Sequence, residues 1–268
     1  MQTQHEKATA FSDLHAREGA FVIPNPWDAG SARMLEGLGF EALATTSSGL
    51  AMTFGRLDGG VSLDEKLAHI RALCEATSIP VSADFEHGYA DTAEGAARNL
   101  VSAAHAGLVG GSIEDYSREG ETYAFELAVE RVAAAAEAVH ALDFPFLLTA
   151  RAEGLLRRSY DLDEAIRRLQ AFSQAGADVL YAPALASLDD VRTLTSAVDK
   201  PVNVLIAGLQ GATLDELADA GAKRISIGGG LARHMAACVA RAGEEMRAGR
   251  FTWFDDLLPG ADMKRFFG

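Results

Sequence analysis

A single (β/α)8 barrel is the fold this sequence predicts, and three observations predict it. Eight short apolar runs alternate with amphipathic stretches along the 268 residues. The runs carry no polar alternation, as parallel strands covered on both faces require. An Ala-Gly-x step at 106–108, 175–177 and 220–222 precedes three of the runs, a glycine C-cap turning from helix into strand.

The strands are expected at 21–25 (FVIPN), 41–48 (EALATTSS), 80–86 (PVSADFE) and 110–115 (GGSIED). Four more follow at 144–152 (FPFLLTARA), 178–183 (DVLYAP), 200–206 (KPVNVLI) and 223–229 (KRISIGG). Between them, SLDEKLAHIRALCEAT (62–77) reads as a helix, with Ser62 as N-cap and Glu65 completing a capping box. DTAEGAARNLVSAAHAG (91–107) reads as another, from Asp91 to Gly107, and DLDEAIRRLQAFSQAG ends likewise at Gly176. Eight strand–helix units within one domain's length favour a barrel over a doubly wound sheet. No G-x-G-x-x-G follows the first strand, and no linker interrupts the alternation, so residues 1–268 form one domain.

Composition excludes several classes. A formal charge of −14 argues against nucleic acid and anionic membrane surfaces, which select basic patches. No apolar run is long enough to span a bilayer, and the polar N-terminus MQTQHEKATAFSDLHARE lacks a signal-peptide core. Cys74 and Cys238 fall inside helix-like segments and read as two buried thiols. A cytoplasmic location is expected. The tail FTWFDDLLPGADMKRFFG holds five aromatics, too many to leave in water, so it packs on its own barrel or on a neighbouring subunit.

In a barrel enzyme the chemistry lies at the C-terminal ends of the strands. Those ends here carry Ser47-Ser48-Gly49, then Asp84 and Glu86, then Glu114-Asp115, then Arg151 followed by Glu153. Asp84 and Glu86, two apart on a strand, would share one face. Two adjacent carboxylates need a cation, a shared proton or hydrogen bonds to hold them together. Carboxylates without thiolate or imidazole neighbours suit a hard ion, Mg²⁺ in preference to Zn²⁺, with Mn²⁺ the close substitute. Asp84 is the expected direct ligand, with Glu86 and Glu114 acting through water. Arg151 is a forked anchor for a substrate carboxylate. A metal beside an Arg describes a bidentate 2-oxo acid whose enolate the site stabilises. The five lysines, Lys7, Lys66, Lys200, Lys223 and Lys264, lie at no strand's C-terminal end, which disfavours a Schiff-base aldolase. The IGGG at 227–230 reads equally as a phosphate cradle or a tight turn.

These segments together resemble the isocitrate lyase/phosphoenolpyruvate mutase superfamily. The resemblance runs through PNPWDAGSARMLEGLGFEAL (24–43), TTSSGLA (45–51), SADFEHGY (82–89), GGSIED (110–115), TARAE (149–153) and PVNVL (201–205), which contains Asn203. It implies Mg²⁺ on Asp84 with Glu86 and Glu114, and the substrate carboxylate on Arg151. It places Ser48, Gly49 and Leu50 around a pyruvyl group, adds Asp58 of FGRLDGG as a further active-site carboxylate, and implies a homo-oligomer. Members exchange the last barrel helix between subunits, which would seat the tail, about residues 248–268, on a neighbour. The implied activity is a lyase breaking a C–C bond of a small 2-oxo acid or its aldol precursor. Hydrolysis or mutation of a C–P or C–C bond, and non-catalytic 2-oxo acid binding, are the alternatives. The sequence departs from the family at three places. Glu86 stands in the second acid position, and Tyr181-Ala182 ends the sixth strand where phosphoryl-transfer members have His. The loop IEDYSREGETYAFE has neither the Cys nor the Lys of the lyases. Tyr89, Tyr116, Glu121 or Tyr123 would then supply the proton.

Overall fold

A computed structural model describes residues 2–268. The chain opens with α1 (Gln4–Ala16), β1 (Phe21–Ile23), α2 (Ala29–Gly37), β2 (Leu43–Ala44), α3 (Ser47–Thr53), α4 (Leu63–Ala76) and β3 (Val81–Asp84). It continues through α5 (Ala93–His105), β4 (Gly110–Glu114), α6 (Phe125–His140), β5 (Leu147–Arg151), α7 (Gly154–Arg157), α8 (Leu162–Gln174) and β6 (Val179–Tyr181). It ends with α9 (Leu188–Ser196), β7 (Val202–Leu205), α10 (Leu214–Asp219), β8 (Arg224–Ser226), α11 (Gly230–Arg247) and α12 (Gly260–Phe267).

Every strand pair is parallel, in the order β1-β8-β7-β6-β5-β4-β3-β2. A 3.1 Å bond from the Ala44 amide to the Pro24 carbonyl joins the two ends, so the eight strands form a nearly closed (β/α)8 barrel. The capping box of Ser62 and Glu65 is present on α4. The three Ala-Gly-x glycines, Gly107, Gly176 and Gly221, have φ of +114°, +105° and +89°, the left-handed region that only glycine enters freely. α1 closes the N-terminal end of the barrel. Its Phe11 and Leu14 pack with Phe21, Ala42 and Val109, and Gln4 Nε2 donates to the carbonyls of Ala104 and Leu108.

Four expectations need correction. The second strand stops at Ala44, because the Thr46 side chain N-caps Gly49 and turns Ser47–Thr53 into a helix. α5 is capped by Thr92 rather than Asp91. Glu86 does not continue β3: the chain turns after Asp84, and Glu86 has φ +48°, so the two acids do not share a strand face. Cys238 is exposed, because α11 stands off the barrel with only Ala232 buried, while Cys74 is half-buried.

The end of the tail lies on its own chain. Phe266 covers Gly37, where an added methyl would meet its ring at 2.7 Å, and Arg265 donates to the Gly37 carbonyl at 2.9 Å. No helix is long and apolar enough to cross a membrane among the described residues.

Candidate active site

Three neighbouring strands deliver the central charges. Asp84 ends β3, Glu114 ends β4 and Arg151 ends β5, with Glu114 directly opposite Arg151 in the ladder. Arg151 Nη1 lies 3.1 Å from Asp84 Oδ1 and 3.3 Å from Glu114 Oε2, while Nε donates to Glu153 Oε1. Nη2 donates to no protein group among the described residues. Asp84 Oδ2 accepts from the Ser47 amide at 3.2 Å and from its hydroxyl at 2.8 Å. Burial pushes the Asp84 carboxyl up, but Arg151, Lys66 and Ser47 outweigh it and hold it below the usual carboxylate range. Burial drives Glu114 well above that range, and burial together with Asp84 raises Glu86.

The turn after β3 sets the second acid. Glu86 and Tyr89 both adopt left-handed backbone, φ +48° and +55°, a cost on the order of 1–3 kcal/mol each. The turn holds because the Tyr89 hydroxyl donates to Glu86 Oε1 at 2.5 Å and Asn99 Nδ2 donates to the Gly88 carbonyl at 3.0 Å. Arg131, fully buried on α6, donates to the carbonyls of His87 and Asp91 and lies 4.4 Å from the Tyr123 ring centroid.

A mouth cavity of about 160 Å³ is lined by the acids Asp58, Glu86 and Glu114, by the arginines Arg118, Arg151 and Arg157, and by Ser47, His87 and Tyr116. Ser48 faces Thr46, its Oγ 3.1 Å from Thr46 Oγ1. Gly49 is required by close packing, since a methyl there would meet Thr46 Cγ2 at 2.6 Å and Trp27 Cβ at 2.8 Å. Leu50 is buried beside Val61. Asn203 lies deeper, in an inner cavity of about 60 Å³ that Asp84, Arg151, Tyr181 and Arg224 also line. There Asn203 Oδ1 accepts from Arg224 Nε at 2.8 Å. Of the four residues expected to supply a proton, Tyr116 lines the mouth, Tyr89 is engaged with Glu86, and Tyr123 bonds Asp91 at 3.2 Å. Glu121 is exposed.

In the IGGG turn two amides are already engaged. The amides of Ile227 and Gly228 both donate to Asn25 Oδ1 at 2.9 Å.

Sequence reading missed a supporting layer. Lys66, wholly buried on α4, donates to Thr45 Oγ1 at 3.0 Å, and the same oxygen accepts from the Asp84 amide at 3.2 Å. Burial lowers the Lys66 pKa against the pull of Asp84, Glu86 and Asp58. Lys66 Nζ is thus sealed behind Thr45 and lines neither cavity. Glu153 is fully buried, its amide donates to Asp115 Oδ1 at 2.7 Å, and it accepts from both Arg151 and Arg157. Asp115 in turn takes Tyr160 at 2.7 Å and Arg168 at 2.9 Å.

The donor set fits a hydrated hard cation. Among the described residues no three His, Cys, Asp or Glu side chains converge closely enough to cage an ion. Mg²⁺ typically keeps several waters and takes one or two carboxylates directly. Asp84, with the oxygen donors Asp58, Glu86 and Glu114 nearby, meets that requirement.

A barrel with acids, an arginine and a helix-borne hydroxyl turn on its C-terminal rim is an enzyme architecture. The profile of the phosphoenolpyruvate phosphomutase family matches residues 11–247, and the chain belongs to that family, within the isocitrate lyase/PEP mutase superfamily. It is 30% identical to the 2-methylisocitrate lyase of Escherichia coli K12 over 208 residues, 74% of this chain and 69% of that one. A crystal structure of a candidate lyase/mutase from Burkholderia cenocepacia J2315 superposes with a TM-score of 0.94 at 50% identity, covering 99% of this chain and 96% of that one. The phosphoenolpyruvate phosphomutase of Streptomyces platensis subsp. rosaceus superposes with a TM-score of 0.85 at 25% identity, covering 97% and 94%.

Proposed function

We propose that this chain is a Mg²⁺-dependent lyase that breaks a C–C bond in a small 2-oxo acid or its aldol precursor, through an enolpyruvate-like intermediate. The observation that carries the reading is Arg151, which lines both the mouth and the inner cavity: Nε and Nη1 are held by Glu153, Asp84 and Glu114, and Nη2 is left without a protein acceptor. A donor fixed in this way recognises a carboxylate at a defined angle. Mg²⁺, held by Asp84 with Glu86 and Glu114, would supply charge stabilisation for the developing enolate. Ser47 keeps Asp84 turned, Arg151 and Lys66 together with it hold the carboxyl below the usual carboxylate range, and Lys66 supports Asp84 from behind through Thr45. Tyr116 would return the proton, a role supported by its lining the mouth. The similarity to a 2-methylisocitrate lyase supports the lyase class.

The same reading includes a homo-oligomer in a cytoplasmic setting. α11 presents Leu231, Met235, Val239 and Met246 to solvent in the single chain, an apolar face that a neighbouring copy would cover. The unpaired cysteines suit a reducing compartment.

Turnover of oxaloacetate, methylisocitrate and phosphonopyruvate with Mg²⁺ tests the function. Cleavage of either carbon substrate that is lost in Asp84→Asn is the expected result. Hydrolysis of phosphonopyruvate alone would move the assignment to a hydrolase, and binding without turnover of any of the three would leave a binder.

A further inference from the structure

The inner cavity is walled by more hydrogen-bond donors than the protein answers. Barrel interiors are ordinarily filled by bulky branched side chains. Here Ser82 and Ser112 line the space, each two residues before a rim carboxylate on its strand, Asp84 and Glu114. Tyr181 and Arg224 line it too. Arg224, 5% exposed at the start of β8, has no ion-pair partner among the described residues. Its contacts are all neutral. Nε donates to Asn203 Oδ1 at 2.8 Å, Nη2 donates to Thr149 Oγ1 at 3.1 Å, and Nη1 meets His15 Nε2 at 3.4 Å. Each terminal nitrogen of a guanidinium carries two hydrogens, so an N–H on each is left over. Burial lowers the Arg224 pKa to about 10, against the pull of Tyr181, so the side chain stays a cation at neutral pH. The hydroxyls of Tyr181, Ser82 and Ser112, all buried, likewise have no hydrogen-bond partner among the described residues.

We propose that the inner cavity holds a small monovalent anion, chloride being the simplest, seated against Arg224 and the hydroxyls of Tyr181, Ser82 and Ser112. The site is independent of the 2-oxo acid reading and stands or falls without it. A buried charge is costly unless it is paired and hydrogen-bonded, and three neutral contacts leave Arg224 unpaired. Water can accept from the spare donors, but each molecule brings two donors of its own into a space already oversupplied with them. An anion brings none. Asp84 lines the same cavity and would repel an anion, yet its oxygens are engaged, Oδ1 by Arg151 and Oδ2 by Ser47. Arg224 lies farther in. It is bonded to Thr149, two residues before Arg151, and faces His15 of α1, which closes the N-terminal end of the barrel. Size narrows the class. At ~15 Å³ per water-sized position, about 60 Å³ gives roughly four positions. That is room for a halide with a few waters and too little for phosphate or a dicarboxylate.

The other occupant open to the cavity is water alone, and a salt exchange separates the two. The melting temperature of the full chain is followed as potassium chloride replaces potassium gluconate at constant ionic strength, with neither Mg²⁺ nor substrate added. Chloride a few-fold above its dissociation constant is expected to raise the melting temperature by about 2–4 °C. Tyr181→Phe keeps the ring and removes one donor to the anion, so the chloride concentration giving half the shift should rise about tenfold or more. Arg224→Gln should abolish the shift. Tyr181→Phe reports even where Arg224→Gln fails to fold. Crystals grown in bromide should show an anomalous peak inside the barrel against Arg224. Equal melting temperatures in the two salts overturn the proposal, as does a chloride shift undiminished in either variant. Bromide crystals whose inner cavity holds only water overturn it as well.

Discussion

Arg151 and Glu153, two residues apart at the end of β5, form an ion pair in which the carboxylate is fully buried and the guanidinium nearly so. The pair points Arg151 inward: with Nε held from behind, Nη1 reaches Asp84 and Glu114, and Nη2 is left for a ligand. Arg151→Lys keeps the charge and loses the fork. One charge-assisted hydrogen bond, about 1.5–3 kcal/mol, goes with it, so kcat/KM should fall roughly ten- to hundredfold. Arg151→Met leaves Glu153 and Glu114 less compensated, and urea denaturation should register a loss on the order of 3–5 kcal/mol. A kcat/KM unchanged in Arg151→Lys would remove Arg151 from carboxylate recognition.

Catalysis is expected to be independent of thiols. Cys238 is exposed on α11, and burial pushes the Cys74 thiol up to about 12, so neither is poised as an acid or base in the mouth. Activity should survive alkylation and the double substitution Cys74→Ala/Cys238→Ala. A folded but inactive double variant would restore a cysteine mechanism.

His15 should make the barrel acid-sensitive. Its Nδ1–H donates to the Phe11 carbonyl at 2.8 Å, and its Nε2 lone pair faces Arg224 Nη1 at 3.4 Å. Burial, with Arg224 adding to it, lowers its pKa from 6.5 to about 3. Between those values the unfolded chain takes up a proton that the folded chain refuses. The His15 contribution is therefore complete above pH 6.5 and is lost as pH falls towards 3. His15→Gln offers similar hydrogen bonds and no titration. Its melting temperature should fall less steeply than the wild type's between pH 6.5 and 4. Parallel profiles would contradict the assignment.

The proposed oligomer rests on the exposed face of α11. Val239, 64% exposed in the single chain, lies in the middle of that face. Val239→Asp would place an unpaired charge in an apolar contact between copies, and light scattering after size exclusion should show smaller species than the wild type. A wild type that runs as a monomer would refute the oligomer directly.

The barrel was legible because parallel strands are unbroken apolar runs and the Ala-Gly-x turns punctuate them. Asp84, Glu114 and Arg151 were legible because each stands as the first charge after such a run. Ser47 was assigned to a strand, since a side-chain cap such as Thr46 overrides the β-propensity of the residues around it. Glu86 reaches the cavity through a left-handed turn that strand periodicity cannot describe. Lys66 and Arg131 were hidden in helices taken as ordinary amphipathic covers. One signal could have exposed both. Lys66 falls in step with Ile70 and Leu73, and Arg131 with Ala128 and Ala135, so each charge stands on its helix's apolar stripe. A charge there needs an internal partner.

Arg131 also bears on how this site fails. The backbone that presents Glu86 and Tyr89 is braced, alongside the Tyr89–Glu86 and Asn99–Gly88 bonds, by a guanidinium on the outer ring of helices that donates to the carbonyls of His87, Asp91 and Thr92. The turn's shape is therefore encoded at a distance from the chemistry, in a residue that touches neither cavity. A random-mutagenesis screen for inactive yet soluble protein should recover hits at Arg131 alongside those at the rim. To an observer mapping such hits by proximity, they would look like a second site.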